Sequence, residues 1–166
     1  MNEKKKFIEN YVSILDTRFL ALKKFEDEHF DLMLQAKGSF YNHQTWEGGY
    51  YDHIKQCFEI ATSLHNSLYK NLNLSLNSIF IVLFFHDIEK LWRDHTFDKN
   101  SFYTRILPEV HGIKLTTEEL NALQYIHGEG HDYSKDKRVM NELAGFCHAC
   151  DVLSARCFYD IHDLQW

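Results

Sequence analysis

The chain has 166 residues, 45% of them hydrophobic, including 13 Phe and 9 Tyr, and a formal charge of −6. That length suits one domain of the usual ~100–200 residues, whose core can bury roughly 70% of the unfolded surface, and the composition excludes a disordered chain. The negative balance argues against a broad grip on duplex nucleic acid, which takes a basic face, and leaves small phosphorylated ligands open.

A single proline, Pro108, and few glycines permit long helices almost throughout. In "FIENYVSILDTRFLALKKFEDEHFDLML" apolar residues recur at Phe7/Ile8, Tyr11/Val12, Leu15, Phe19, Leu22, Phe25 and on to Leu32. Those three- and four-residue steps predict an amphipathic helix, within residues 1–36, packed on the rest of the chain. "KGSFYNHQTWEGGYY" breaks the pattern and reads as a loop, whose Gly48 and Gly49 let the backbone approach closely. A second helix runs from near Tyr50 to Leu68. After the connector "NLNLSLN", Ser75 or Asn77 caps a third helix that continues through Trp92. Residues 93–100 read as a loop before a short helix ending near Pro108. Thr116 and Glu119 form a capping-box pattern that opens a helix ending at His127-Gly128. "GEGHDYSKD" is a loop, and the last helix spans about Lys135 to Tyr159. With no repeats and no strand alternation, the expected fold is an all-α, single-domain bundle of about six helices.

Lys4, Lys5 and Lys6 precede a stretch too polar for a signal peptide. The longest apolar run, Ile79 to Phe85, is far short of the ~20 residues of a membrane span. Of Cys57, Cys147, Cys150 and Cys157, the last three share one predicted helix and are poorly placed for a disulfide framework. The expectation is a reduced, cytoplasmic protein without a membrane partner.

Helical spacing also shows where polar groups point. His53 lies on a stripe with Cys57, Ile60, Leu64 and Leu68. His86 shares a face with Ile79, Val82, Leu83 and Lys90, with Asp87 beside it. Asp151 falls in line with Ala144, Cys147 and Phe158. One such residue has an ordinary explanation, a hydrogen-bonded core histidine or an aspartate paired with a cation. Asp151 has no cation within one turn of its helix, and four such groups on three helices change the balance. A divalent cation offsets the burial of two carboxylates and fixes the histidine tautomers. Two His and two Asp suit Mn, Fe, Co, Ni or Zn, with positions left for water.

These residues resemble the H…HD…D signature of the HD superfamily of metal-dependent phosphohydrolases. "HQTWEGGYYDH" is similar to the "HHxxxGGLLEH" run of some bacterial exoribonucleases, "VLFFHDIEK" to "LLHDIGK", and "HACDVLSAR" to "HxADxLSA". The matching segments keep the family's order across residues 43–157. The resemblance implies that His53, His86, Asp87 and Asp151 are metal ligands and that Lys90 faces a substrate phosphate. Glu89 replaces the usual glycine and is expected to be solvated. His111, His127 and His131 are candidates for the extra histidines of two-metal members, and His127-Gly-Glu129 resembles their "HHE" element.

The function implied is hydrolysis of phosphoester bonds in a nucleotide (a mono- or triphosphate, or a cyclic or alarmone-type nucleotide) through a metal-activated water. Asp87 or Asp151 would orient that water. Lys90, with Arg156 or Lys55, would neutralise developing charge, and His127 is the candidate general acid. Glu129 and Arg156 complete the candidate substrate-binding set with Lys90. Two other readings stay open. A di-iron HD-type oxygenase would also need His111, or His127 and His131, as ligands, and a non-catalytic nucleotide-binding module would need no turnover. One metal or two, with Mg at a second site, and homo-oligomerisation also stay open. Cys147 and Cys150 form a C-x-x-C among apolar residues and are read as core packing. His43 either lines the site or supports the Gly48-Gly49 turn. Trp46, Tyr50 and Tyr51 are read as stacking or core aromatics.

Overall fold

The computed structural model describes residues 4–68, 71–92 and 96–161, and every regular element among them is helical. In chain order these are α1 (Ile8–Tyr11), α2 (Phe19–Gln35), α3 (Gly49–Leu68), α4 (Leu76–Phe85), a 3-10 turn (Ile88–Leu91), and α5 (Lys99–Ser101). A π-helical turn (Phe102–Ile106), α6 (Leu107–Val110), α7 (Thr117–Tyr125), a 3-10 turn (Gly130–Asp132) and α8 (Glu142–Cys157) follow. From Ile79 to Phe85 helix α4 is apolar all round and every residue is buried, as a central helix must be. It packs against α3, α7 and α8, and α3 and α8 pack against each other. The site is built where these helices meet.

The first predicted helix is broken. After α1, Val12 is extended, Ser13 N–H donates to Asn77 Oδ1 at 3.0 Å, and the Asp16 carboxylate accepts both the Arg18 N–H and the Arg18 guanidinium. Side chains that bond the local backbone compete with helix formation, and here they win. Leu15, expected to face inward, is consequently 87% exposed. Two buried carboxylates tie the detached N-terminal turn and α2 to the bundle. Glu26 accepts the N–H groups of both Phe7 and Ile8, and Glu119 on α7 takes the Arg18 guanidinium at 2.6 Å.

The remaining elements follow the sequence in order, with corrections at their boundaries. Ser75 holds the cap position of α4 without a side-chain bond, and Asn77 is engaged by Ser13 instead. Helix α4 stops at Phe85, seven residues before the expected end at Trp92. The helical stretch beginning at Lys99 ends close to Pro108, as expected, but two residues beyond it. Proline has no N–H to give the α ladder, and the preceding turn shifts to i→i+5 bonds (Leu107 N–H to Phe102 O), so the helix passes Pro108 and ends at Val110. Of the expected loop 93–100, residues 93–95 lie outside the described residues, and Lys99 and Asn100 are already helical.

Helix α8 starts at Glu142, later than the expected Lys135. Asn121 holds the preceding segment extended, donating to Val139 O and accepting from Asn141 N–H, both at 3.0 Å. Asn141 then caps α8 by accepting Ala144 N–H at 2.7 Å. The capping box at Thr116 and Glu119 is present as expected. Gly48 and Gly49 also behave as expected. A Cβ on Gly49 would stand 1.9 Å from Gln44 O, and Gly48 has φ of +79°.

Candidate metal centre

Why α4 stops at Phe85 is answered by its carbonyls. The last C=O groups of a helix lack intrahelical partners, and here those of Leu83, Phe84 and Phe85, with His86 just beyond, receive side-chain donors. Leu83 O takes the His86 Nδ1–H at 2.7 Å, Phe84 O the Tyr50 hydroxyl at 3.3 Å, Phe85 O the Tyr103 hydroxyl at 2.8 Å, and His86 O the Lys99 ammonium at 3.0 Å. Lys99 is held in turn by Glu89, 2.7 Å away. The chain therefore leaves the helix at His86-Asp87 with its polar ends satisfied, and the His-Asp pair is fixed at the mouth of a buried helix. Glu89 is thus paired and half-buried, contrary to the expectation that it is solvated; its Oε2 is buried with no hydrogen-bond partner among the described residues.

His53, His86 and Asp87 are buried, as is Asp151. His53 Nε2 and His86 Nε2 stand 3.2 Å apart. Asp151 Oδ1 lies 3.2 Å from His53 Nε2 and 3.7 Å from His86 Nε2. Asp87 Oδ2 lies 3.4 Å from His86 Nε2 and 3.7 Å from His53 Nε2. Ligands about 2.1 Å from one cation stand roughly 3.0–3.4 Å apart, so this spacing fits a first-row divalent metal with little movement.

The ring tautomers point the same way. Ser154 Oγ donates to Gln56 Oε1 at 2.8 Å, so toward His53 Nδ1, 2.9 Å away, it must accept. Gln56 is itself fixed, since Oε1 also takes the Gln44 amide and its Nε2 donates to Ile161 O. His86 Nδ1–H is held by Leu83 O. Both rings therefore turn Nε2 toward each other and toward two carboxylates, an arrangement that calls for a positive charge, a shared proton or a metal ion, between them.

The two rings differ in their electrostatics. Burial lowers the His53 imidazole to about 4 despite Asp151 beside it. Burial acts on His86 in the same direction, but Asp87 and Asp151 overcome it and raise its pKa. Burial would raise both aspartates. For Asp87 the nearby His86, Lys90, His127 and His53 hold the carboxyl well below the usual range, and for Asp151 the two imidazoles do so. The centre thus presents two carboxylates, with Lys90 ion-paired to Asp87 Oδ2 at its edge.

His127 stands at the rim, its side chain 51% exposed, with Nε2 3.4 Å from Asp87 Oδ1 and 3.8 Å from Asp151 Oδ2. Two overlapping sets of ligand atoms result, His53–His86–Asp151 and His86–Asp87–His127, each within 4.8 Å of one another. His43 lines the site, its ring 5.0 Å from that of His53, and burial and Lys90 lower its pKa.

Other candidates lie elsewhere. His111 packs edge-on against Phe25 and faces Glu28 at 3.9 Å, and His131 is exposed on the Gly130–Asp132 turn, so neither joins the ligand sets. Arg156 is exposed on α8, Lys55 pairs with Glu59 at 3.7 Å, and Glu129 accepts Met140 N–H at 3.3 Å. Trp46 donates to Asp52, while Tyr50 and Tyr51 are core residues. Cys147 and Cys150 are buried free thiols. Cys57 Sγ is nearly equidistant from the two nitrogens of His53, at 4.0 and 3.8 Å, and so packs over the ring face and not along a lone pair.

Gln56, Gln44, Tyr103 and Lys99 carry no sequence signal of their own; Ser154 does, as the serine of the "HxADxLSA" resemblance one turn after Asp151. Among the described residues, no helix is long and apolar enough to cross a membrane. Comparison of the chain with protein-family models, with curated proteins and with solved structures returned no match.

Proposed function

We propose that this chain is a metal-dependent phosphohydrolase of the HD type, acting on a nucleotide. The observation that carries the reading is the convergence of two imidazole Nε2 atoms, 3.2 Å apart, with the carboxylates of Asp87 and Asp151. His53, His86, Asp87 and Asp151 would hold a metal of the Mn, Fe, Co, Ni or Zn group. Such an ion supplies a nucleophilic water near neutral pH and polarises a phosphoryl oxygen.

The protein's own groups do the rest. Asp87 and Asp151 accept hydrogen bonds from the attacking water and orient it. Lys90, at the edge of the centre, balances charge on the phosphoryl oxygens. The water oxygen would bond to phosphorus as the ester P–O bond breaks, the water's proton passing to an aspartate carboxylate. His127 at the exposed rim, in its doubly protonated form, would deliver its Nε2 proton to the leaving oxygen.

The test is release of phosphate or nucleoside from a nucleotide panel with Mn²⁺, comparing wild type with His86→Ala and Asp87→Ala. Loss of release in both variants is expected; release persisting undiminished in both overturns the reading. The oxygenase alternative is disfavoured by His111, turned to Glu28, and by His131, exposed on its turn. A binding module without catalysis would show nucleotide affinity and no release in the same assay.

A further inference from the structure

Among the described residues, Gln44 is the one residue other than glycine with a positive φ, at +40°. A residue with a side chain stays in that region only where its surroundings hold it. Gln44 is buried, and two glycines make room for it. A Cβ on Gly49 would stand 1.9 Å from Gln44 O, and one on Gly38 would stand 2.8 Å from Gln44 Cβ. The backbone is tied on both sides, Gly38 N–H donating to Gln44 O at 2.9 Å and Gln44 N–H to Tyr159 O at 2.8 Å. Glycine would relieve the strain, so what the position gains from glutamine lies in the side chain.

Backbone oxygens fix which way that side chain points. Its Nε2 stands 3.3 Å from both Ser154 O and Phe158 O, and 2.7 Å from Gln56 Oε1. All three accept, the last because Gln56 Nε2 is spent on Ile161 O. Gln44 Oε1 therefore faces the other way, toward His43 Nδ1 at 2.6 Å, and that nitrogen must donate. His43 is thus held as the Nδ1–H tautomer, in the field of Lys90, Asp87 and Asp151. On the opposite branch, Gln56 Oε1 also takes the Ser154 hydroxyl, which in turn accepts from His53 Nδ1–H. One amide therefore stands between two imidazoles whose rings lie 5.0 Å apart.

We infer that Gln44 is a positioning residue of the metal centre, fixing through one buried amide the tautomers of both His43 and His53. Its effect on metal affinity presupposes the metal-centre reading, whereas the tautomers follow from the hydrogen bonds alone. The strained backbone is what carries the amide to a point where both branches reach it.

The experiment records imidazole ¹⁵N chemical shifts of the metal-free full chain at mildly alkaline pH. His43 and His53 are assigned by loss of their signals in His43→Gln and His53→Gln. Calorimetry with Co²⁺ then gives the affinity of each protein. Wild type should show a protonated Nδ1 on both rings and an unprotonated Nε2 on His43. Gln44→Met keeps the length of the side chain and removes its hydrogen bonds. His43 should then lose its single tautomer, and Co²⁺ affinity should fall by about tenfold or more. Gln44→Gly should lose as much affinity although its backbone is relieved, a result that a glutamine serving packing alone does not give. Thr116→Ala, which weakens the fold at a distance, should leave both the shifts and the affinity unmoved.

An unprotonated Nδ1 on His43 in wild type overturns the inference. So does a Gln44→Met chain whose tautomers or Co²⁺ affinity match those of wild type, and Gln44→Gly makes the same comparison should Gln44→Met not fold. If wild type binds no Co²⁺, the hydrolase reading fails, and the shifts of wild type and variant decide the positioning role by themselves.

Discussion

His53 Nε2 and His86 Nε2 face each other at 3.2 Å, while the Nδ1 proton of each ring is committed elsewhere, to Ser154 Oγ and to Leu83 O. At that distance the two nitrogens share either a proton or a metal ion. The tautomers therefore bear on metal binding as directly as the ligands do.

It follows that Ser154→Ala, which removes the group orienting His53, weakens divalent-metal affinity by roughly 10–100-fold. The ligands remain, so the metal is retained at high concentration. Calorimetric titration with Mn²⁺ or Co²⁺ reads the change directly.

The end of α4 makes a second prediction. Tyr103→Phe removes the hydroxyl from buried Phe85 O and should destabilise the fold by about 1–3 kcal/mol, read from the urea midpoint. Because the same carbonyl row positions His86 and Asp87, metal affinity falls as well. Thr116→Ala, which removes the cap of α7 at a cost of about 1 kcal/mol, should leave the affinity unchanged.

Far from the centre, Glu26 gives the fold a pH dependence. Burial raises its carboxyl from 4.5 to about 7, against the opposing bonds from Phe7 and Ile8 N–H. Between those values the folded chain holds a proton that the unfolded chain has released. This contribution is complete below the unfolded pKa and is lost as pH rises through the folded one, by about 3 kcal/mol in all. Unfolding free energies of wild type minus Glu26→Gln should decline across that window and level off above it.

Thiol reactivity offers a separate check on packing. Cys57, Cys147 and Cys150 are buried and Cys157 is exposed, all four as free thiols, and burial pushes the Cys150 thiol up to about 12. A thiol reagent should modify Cys157 alone in the folded protein and all four after denaturation.

The parts of this structure that were legible in the sequence are those governed by local rules. His53 follows from four-residue steps along α3, and the Thr116–Glu119 box lies within a single turn. The convergence of His53, His86 and Asp151 was legible because each sat on an otherwise apolar face, and Asp87 because it stood next to His86 in a pair resembling a known motif. The parts that were not legible depend on partners distant in the chain. Ser13 is held by Asn77, Phe85 O by Tyr103, and His53 by Ser154, 101 residues away. No periodicity records such pairings, which is why the break before α2, the end of α4 and the orienting of His53 emerge only in three dimensions. His111 and His131 show the reverse error, since a histidine in sequence near a metal motif need not be near the metal.

The account turns on metal occupancy of one centre, and elemental analysis of purified protein after loading with Mn²⁺, Co²⁺ or Zn²⁺ and exhaustive dialysis measures it. One or two equivalents of a divalent metal should remain per folded wild-type chain, and both His86→Ala and Asp151→Ala should retain less than about a tenth of that. A folded wild-type chain that keeps no metal, or a His86→Ala chain that keeps as much as wild type, would contradict it.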